Sequence, residues 1–211
     1  MKNPKKIKLP VTKRIFDLAV SFILLLITVP FLIFIFLWIL LEQIFIPGSR
    51  GPILYKETRI SQGKKFKFYK FRIFKKKVLD QLKDTDCIHT KPLEKNKKNL
   101  TFYGRFLKQI YMDELPQLWN IIIGDMTMVG PRPTNVENSK MMRQQKNFNN
   151  YIMKCGLTGP FQSEKGSAID QTKVDREYIK FIDKKGCISI FLKDVWILFK
   201  TLLTVIKAKG I

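Results

Sequence analysis

The sequence predicts an α/β fold, mainly helical, fastened to a membrane near its N-terminus. Three observations carry this. Residues Leu18 to Leu41 contain no charge and are apolar apart from Ser21, Thr28 and Pro30. The segment from Lys65 to Phe74 begins with strict alternation and is rich in aromatics, as a half-buried strand is. Apolar residues then recur at helical spacing around Phe102, after Leu115 and from Ile188 to Ile206.

The chain has 211 residues, of which 45% are hydrophobic, enough for one domain with appendages and a real core. Lys and Arg number 39 against 17 Asp and Glu, a formal charge of +22. That excess calls for an anionic partner: nucleic acid, anionic lipid or a phosphorylated substrate. Cys87, Cys155 and Cys187 are widely separated and odd in number, with no CxxC pair, which points to a reducing compartment. His89 is the single histidine, and with Cys87 alone it cannot complete a zinc site, so it reads as a surface residue.

Taken in order, the N-terminus is basic, with Lys2, Lys5, Lys6, Lys8, Lys13 and Arg14. The apolar run that follows exceeds the roughly 20 residues that cross a bilayer core. It is too long for a cleaved signal peptide, and no small-x-small cleavage site follows it. Both flanks are basic, since Arg50, Lys56, Arg59, Lys64 and Lys65 come after the run. A straight span would put one basic flank on the side that usually lacks them. Pro30 lies in the middle of the run, where it removes a backbone hydrogen bond. A helix broken at Val29-Pro30 can enter one leaflet and leave on the same side, with Thr28 helping to satisfy the freed backbone. A kinked span fits the residues equally well.

Residues 46–52 are turn-rich, and Ile53 to Tyr55 reads as a short strand. Ser61-Gln-Gly-Lys64 reads as a turn before the aromatic strand. That strand interleaves lysines with aromatics, a pattern shared with single-stranded nucleic-acid binders. A basic face near anionic headgroups explains it better beside an apolar run. Lys75 to Asn99 is polar and lysine-rich, and is expected to be a surface insertion without regular structure. Phe102, Phe106, Leu107 and Ile110 then mark a helix.

The most informative stretch runs from Ile110 to Pro133. Pro116 is acceptable only in a first helical turn, which places a helix start near Asp113, itself a good N-cap. Leu118, Trp119 and Ile122 form its expected buried stripe. Asp113 and Glu114 are adjacent carboxylates in a basic chain, and at a helix N-terminus they read first as capping charges. A carboxylate can also attack phosphorus, and a second can bind or move a proton. Facing a pyrophosphate, the two would need a cation between, and Mg²⁺ suits such a donor set. Gly124-Asp125 ends the helix. Gly130-Pro-Arg-Pro133 then holds Arg132 in a stiff loop, and arginine suits phosphate recognition.

The segment from Lys154 to Gly166 is Gly-rich and reads as a substrate-side loop. The final helix places Lys193, Lys200, Lys207, Thr204 and Ile197 on one side. Phe191, Val195, Leu198, Phe199, Leu202, Leu203 and Ile206 lie on the other. It fits either a membrane interface or an internal position on the core.

Several blocks, in order and nearly end to end, carry a resemblance. They are Lys13-Arg14-x-Phe16-Asp17, Gly51-Pro-Ile-Leu-Tyr55-x-x-x-Arg59, Gly63-Lys-x-Phe66 and Tyr69-Lys-Phe-Arg72. Then come Gly104-Arg105-x-Leu107, Asp113-Glu-Leu-Pro-Gln-Leu-x-Asn120 and Gly124-Asp-Met-x-x-Val-Gly-Pro-Arg-Pro133. Gly156-Leu-Thr-Gly159-x-x-Gln162 and Asp175-x-x-Tyr178 complete the set. The chain resembles the bacterial sugar transferases, the monotopic phosphoglycosyl transferases that start lipid-linked glycan assembly.

That resemblance implies a re-entrant membrane helix broken at Thr28–Pro30 in residues 1–45, and a small catalytic domain in residues 46–211. Amphipathic interfacial helices would hold the domain on the cytoplasmic face of the bacterial inner membrane. Asp113 would attack the β-phosphate of a UDP-sugar, and undecaprenyl phosphate would then accept the phosphosugar. Mg²⁺ would sit at Asp113 and Glu114, with Glu114 assisting the metal or a proton transfer. Arg59, Lys70, Arg72, Lys108, Arg132 and Gln162 would contact substrate. The implied partners are the UDP-sugar, undecaprenyl phosphate, the lipid bilayer and, optionally, a second copy as a homodimer, but no nucleic acid. Some positions depart from the family pattern: Lys108 stands where an arginine is usual, and Lys154-Cys155-Gly156 and Pro160 to Gly166 replace the usual loop. Against this stands a non-catalytic basic protein that binds anionic lipid or nucleic acid at a membrane surface, and a family member that has lost activity.

Overall fold

The computed structural model describes residues 4–83, 90–164 and 170–207. Along the chain lie α1 (Val11–Phe45), β1 (Leu54–Ser61), β2 (Lys64–Phe71), α2 (Lys76–Lys83), α3 (Thr90–Lys95), α4 (Phe102–Gln109) and α5 (Gln117–Ile122). They are followed by β3 (Thr127–Val129), β4 (Thr134–Asn135), α6 (Val136–Gln144), α7 (Asn149–Ile152), β5 (Gly156–Thr158), α8 (Pro160–Ser163), α9 (Gln171–Lys184) and α10 (Cys187–Ile206). Short 3₁₀ turns lie at Pro47–Ser49, Lys97–Asn99 and Met112–Glu114. The chain divides into two compact units. One holds Met1–Leu24, Glu57–Phe68 and Gln117–Ile211, the other Leu25–Lys56 and Tyr69–Pro116.

Helix α1 has 35 residues, which at ~1.5 Å per residue is longer than the ~30 Å hydrocarbon core of a bilayer. It is apolar and long enough to cross a membrane, and only 11% of its most apolar window is buried in the protein. The expected break at Val29-Pro30 does not end it: helical structure runs through Pro30 to Phe45. Pro30 has no N–H to give the Leu26 carbonyl one turn back, and beside it the Thr28 hydroxyl donates to the Leu25 carbonyl at 3.2 Å.

In the first unit, β1 and β2 are joined by Gln62 (φ 48°) and Gly63 (φ 71°), two left-handed residues in the manner of a type I′ hairpin turn. The sheet order is β2-β1-β4, with Arg59 opposite Asn135 in an antiparallel pair. Strand β1 is therefore much longer than the three residues expected. β3 and β5 pair in parallel, Thr127 opposite Gly156 and Val129 opposite Thr158. Glycine is required at that pair, because a Cβ on Gly156 would lie 2.1 Å from the Gly130 nitrogen.

The first turns of α1 are tied into this unit by buried polar groups. Lys13 Nζ lies 2.5 Å from Asp194 Oδ2. Asp17 accepts from Thr127 Oγ1 at 2.5 Å and from the Met128 N–H at 3.0 Å. Tyr178 donates its hydroxyl to Asp194 Oδ1 at 2.5 Å.

Helix α10 shows which of its two sides packs on the protein. Ile190, Asp194 and Ile197 are buried, and Thr201 and Thr204 bond to Thr158 Oγ1 and to the Ser163 carbonyl. Phe191, Leu192, Val195, Trp196, Phe199, Leu202 and Ile206 are all exposed. The mixed side packs inward and the apolar side faces out.

In the second unit, Ile35, Ile39, Tyr103 and Leu107 form the core, with Trp38, Ile53, Phe71 and Met112 against it. The expected helix is present as α4, which buries Tyr103 and Leu107 and leaves Phe102 and Phe106 exposed. Its N-terminus carries two caps. Thr101 Oγ1 accepts from the Gly104 N–H at 3.0 Å. The buried Glu42 accepts from the N–H groups of Phe102 and Tyr103, both at 2.8 Å, and from Ser49 Oγ at 2.6 Å. The lysine-rich insertion is not structureless: it contains α2, α3 and a 3₁₀ turn, and Ile73, Phe74 and Leu100 pack with Val78, Leu79 and Leu93. Cys87 and His89 lie outside the described residues, as do Lys165 and Gly166 of the Gly-rich loop.

Candidate functional site

The carboxylate pair sits in the second unit. Helix α4 ends at Gln109, and Tyr111 turns the chain with a left-handed φ of 58°. For a bulky residue that conformation is uncommon and costs about 1 kcal/mol or more, a strain often kept at functional sites. Met112, Asp113 and Glu114 then form a 3₁₀ turn, closed by the Glu114 N–H to the Tyr111 carbonyl and the Leu115 N–H to the Met112 carbonyl. The expected N-cap position is thus corrected: α5 begins at Gln117, four residues later. The residue before Pro116 is itself helical in conformation, Leu115 at φ −52° and ψ −38°, so the proline's bias against helical geometry is overridden there.

Asp113 is buried at 6% exposure, while Glu114 is half-buried. The Lys70 ammonium, from β2, lies 2.7 Å from Glu114 Oε1 and 3.7 Å from Asp113 Oδ2. The pair therefore already draws one cation. Among the described residues there is no cluster of three or more His, Cys, Asp or Glu side chains. Two hard carboxylate donors suit a Mg²⁺ whose remaining positions go to water and phosphate oxygens. The residues present fit such an ion.

The other expected contacts fall into different situations. Arg72 is fully buried and donates to the carbonyls of Pro52 (2.6 Å), Phe74 (2.7 Å) and Ser49 (2.5 Å). Burial lowers its pKa, an effect opposed by Tyr103 and Glu42. It braces the backbone rather than facing a ligand, which corrects the expected substrate contact. Lys108 pairs with Glu94 Oε2 at 3.1 Å and donates to the Glu94 carbonyl at 3.2 Å. This tethers α3 to α4.

Three of the expected residues belong to the first unit. Arg59 pairs with Glu57 at 2.8 Å, donates to the Pro133 carbonyl at 3.0 Å and lies over the Phe68 ring at 3.9 Å. It thereby steadies the Pro-Arg-Pro loop. Arg132 is half-buried, and its carbonyl accepts from Asn150 Nδ2 at 3.1 Å. Gln162 is buried with neither amide atom hydrogen-bonded.

Asp175, of the Asp175-x-x-Tyr178 block, is a strongly perturbed acid of this unit. It is 2% exposed, Oδ1 has no partner, and burial pushes its carboxyl up to about 7 against a bond from Gln171. Glu42 was missed altogether. Its signal was its position, the one acidic residue between Leu18 and Ser49.

The sequence model of the family described as bacterial sugar transferase matches residues 9–208. The chain belongs to this family. An undecaprenyl-phosphate galactose phosphotransferase of Salmonella typhimurium is 34% identical over 94% of this chain and 41% of its own length. A UDP-glucose:undecaprenyl-phosphate glucose-1-phosphate transferase of Escherichia coli K12 is 33% identical over 70% of this chain and 30% of its own. An uncharacterized sugar transferase of Bacillus subtilis is 30% identical over 95% of this chain and 90% of its own. The chain therefore spans less than half the length of the two named phosphotransferases. As a sugar transferase domain it holds the Asp113–Glu114 pair and the Gly130–Pro133 loop inside the matched residues.

Proposed function

We propose that this sugar transferase domain moves a sugar 1-phosphate from a UDP-sugar to undecaprenyl phosphate, the first membrane step of lipid-linked glycan synthesis. The observation that carries the reading is the buried Asp113 beside Glu114 and Lys70, on a strained turn within the family-matched residues. The names of the relatives support the two substrate classes.

In the proposed mechanism an Asp113 carboxylate oxygen attacks the β-phosphorus of the donor. The bond from that phosphorus to the bridging oxygen breaks, and UMP leaves with the electron pair. A phosphate oxygen of undecaprenyl phosphate then attacks the same phosphorus. Asp113 departs as carboxylate, leaving undecaprenyl diphospho-sugar. Lys70 holds Asp113 and Glu114 in place and offsets their charge as the anionic donor approaches. Glu114 holds or moves a proton beside the phosphoryl oxygens. Mg²⁺, held by Asp113 and Glu114, would supply charge neutralisation at the phosphates. Arg132 is assigned to phosphate recognition and Gln162 to the donor.

The membrane arrangement belongs to the same proposal. Residues 1–45 enter and leave one leaflet around Thr28 and Pro30. The outward apolar side of α10 rests in the interface, and the domain faces the cytoplasm. The basic flanks and the exposed apolar residues of α1 and α10 support this.

The test is UMP release from UDP-sugars by membrane fractions with Mg²⁺ and undecaprenyl phosphate. Asp113→Asn is expected to abolish release, and normal turnover by that variant would overturn the mechanism. Salt-sensitive nucleic-acid binding without turnover on any sugar nucleotide would instead favour a binding protein. For topology, Lys5→Cys and Arg50→Cys are expected to react with an impermeant reagent from the same side of the membrane. Labelling from opposite sides would mean a spanning helix.

A further inference from the structure

A cavity of about 150 Å³ opens in the first unit, between the β1–β2 turn and the end of α5. Ser61, Gln62, Lys64, Gly124, Asp125 and Lys154 line it. Its balance of charge is unusual. Lys154 is half-buried, and no carboxylate of the described residues lies within ion-pair distance of it. A second cation stands beside it: a Cβ built on Gly124 would lie 3.6 Å from Arg14 Nη2 and 3.7 Å from Lys154 Nζ.

Arg14 cannot swing away to relieve this. Its Nη1 and Nη2 donate to the carbonyls of Ile121 (2.5 Å) and Ile122 (2.7 Å), which caps the C-terminal end of α5. Burial lowers the Lys154 pKa, and Arg14 and Lys64 lower it further. Asp17 and Asp125 act the other way without restoring it. The fold thus holds like charges together in a partly desolvated place, which is unfavourable unless an anion shares the site.

We propose that this cavity is a binding site for one phosphate group, with Lys154 as the principal donor and Lys64 as the second. A phosphate is small enough for the space, and its charge offsets the surplus left by Arg14, Lys64 and Lys154 over the Asp17 and Asp125 carboxylates. Such a group has two sources, a soluble phosphate or a lipid headgroup. The lipid source is reasonable because Val11 and Ile15, on either side of Arg14, are 75% and 61% exposed on α1. That source rests on the membrane reading of α1, whereas the phosphate chemistry does not. The site shares no residue with the Asp113 pair, so its test is independent of turnover.

The test uses the full chain with ¹³C-dimethylated lysines, followed by NMR in neutral detergent. The Lys154 signal is assigned by its loss in Lys154→Arg. Inorganic phosphate, titrated at constant ionic strength against chloride, is expected to move that signal and raise the pH at which it titrates. Lys64→Gln, an exposed change safe for folding, is expected to weaken half-saturation by about two- to fivefold. In a second arm, bilayer discs doped with phosphatidylglycerol are compared with pure phosphatidylcholine. A response to both arms supports a phosphate site open to either source, and a response to phosphatidylglycerol alone assigns the headgroup. No response in either arm, or an equal response to chloride, overturns the proposal.

Discussion

Glu42→Gln is the sharpest test of how the second unit is built. Glu42 lies near the end of a long apolar helix, yet both its oxygens are used. Oε1 accepts from the Phe102 N–H and Ser49 Oγ, and Oε2 accepts from the Tyr103 N–H. Glutamine can keep an oxygen at the first position. At the second it places an NH₂ against an N–H donor, so one bond to a charged group is lost, worth about 1.5–3 kcal/mol. The two surviving bonds become neutral and about half as strong. The expected destabilisation is about 3 kcal/mol, or a fall of about 6–12 °C in Tm for a chain of this size. The assay is thermal unfolding in detergent followed by tryptophan fluorescence. Trp38 reports on this unit, since its ring lies 5.3 Å from that of Phe106. Ser49→Ala, which leaves the charge and both backbone bonds, is expected to cost about 1 kcal/mol. A shift below about 1 kcal/mol for Glu42→Gln would refute the claim that this carboxylate anchors α4.

Asp175 makes stability depend on pH. Its carboxyl ionises near 3.8 when unfolded and near 7 when folded, so the native state binds the extra proton between these values. Stability from this group is therefore present below pH 4, falls as pH rises, and is lost above pH 7 by up to about 4 kcal/mol at 1.36 kcal/mol per pH unit. Asp175→Asn should flatten that slope in melts between pH 5 and pH 8, and an unchanged slope would count against a buried neutral acid. Gly156→Ala should prevent stable folding, at about 3 kcal/mol or more, because its Cβ would meet backbone atoms at 2.1 and 2.3 Å. Gly48→Ala, with nothing within 4 Å, should elute as wild type in size-exclusion chromatography.

Local signals in the sequence located much of this structure. The hairpin turn was legible because Gln62-Gly63 offers left-handed backbone between two strands. The end of α5 was legible for the same reason, with Gly124 at φ 88°. The insertion was misjudged because its helices are short, and their apolar residues Val78, Leu79 and Leu93 serve a small cluster rather than a long stripe. Arg72 could not be told from a ligand-binding arginine, because its acceptors are backbone carbonyls, two of them, Ser49 and Pro52, about twenty residues away. No side-chain pattern announces a carbonyl. The Asp113–Glu114 pair stands out by its chemistry, but its 3₁₀ turn depends on the left-handed Tyr111, a conformation that sequence seldom reveals.

Helix α10 shows where periodicity stops being informative. The 3.6-residue repeat separates its two sides correctly, yet it cannot say which side meets the protein. In a soluble protein the apolar side would be buried, with Lys200, Thr201 and Thr204 outside. Here Lys200 pairs with Glu164 at 2.8 Å, both threonines bond inward, and Asp194 is wholly buried. The inner side is stabilised by hydrogen bonds and ion pairs, and the apolar side is left exposed. That inversion supports an interfacial role for α10 by a route separate from the hydropathy of α1. Replacing Phe191 and Trp196 by serine tests it. In water such changes should improve solubility, whereas at a membrane they should release the protein from bilayers into the soluble fraction. Improved solubility with unchanged membrane retention would place the attachment in α1 alone.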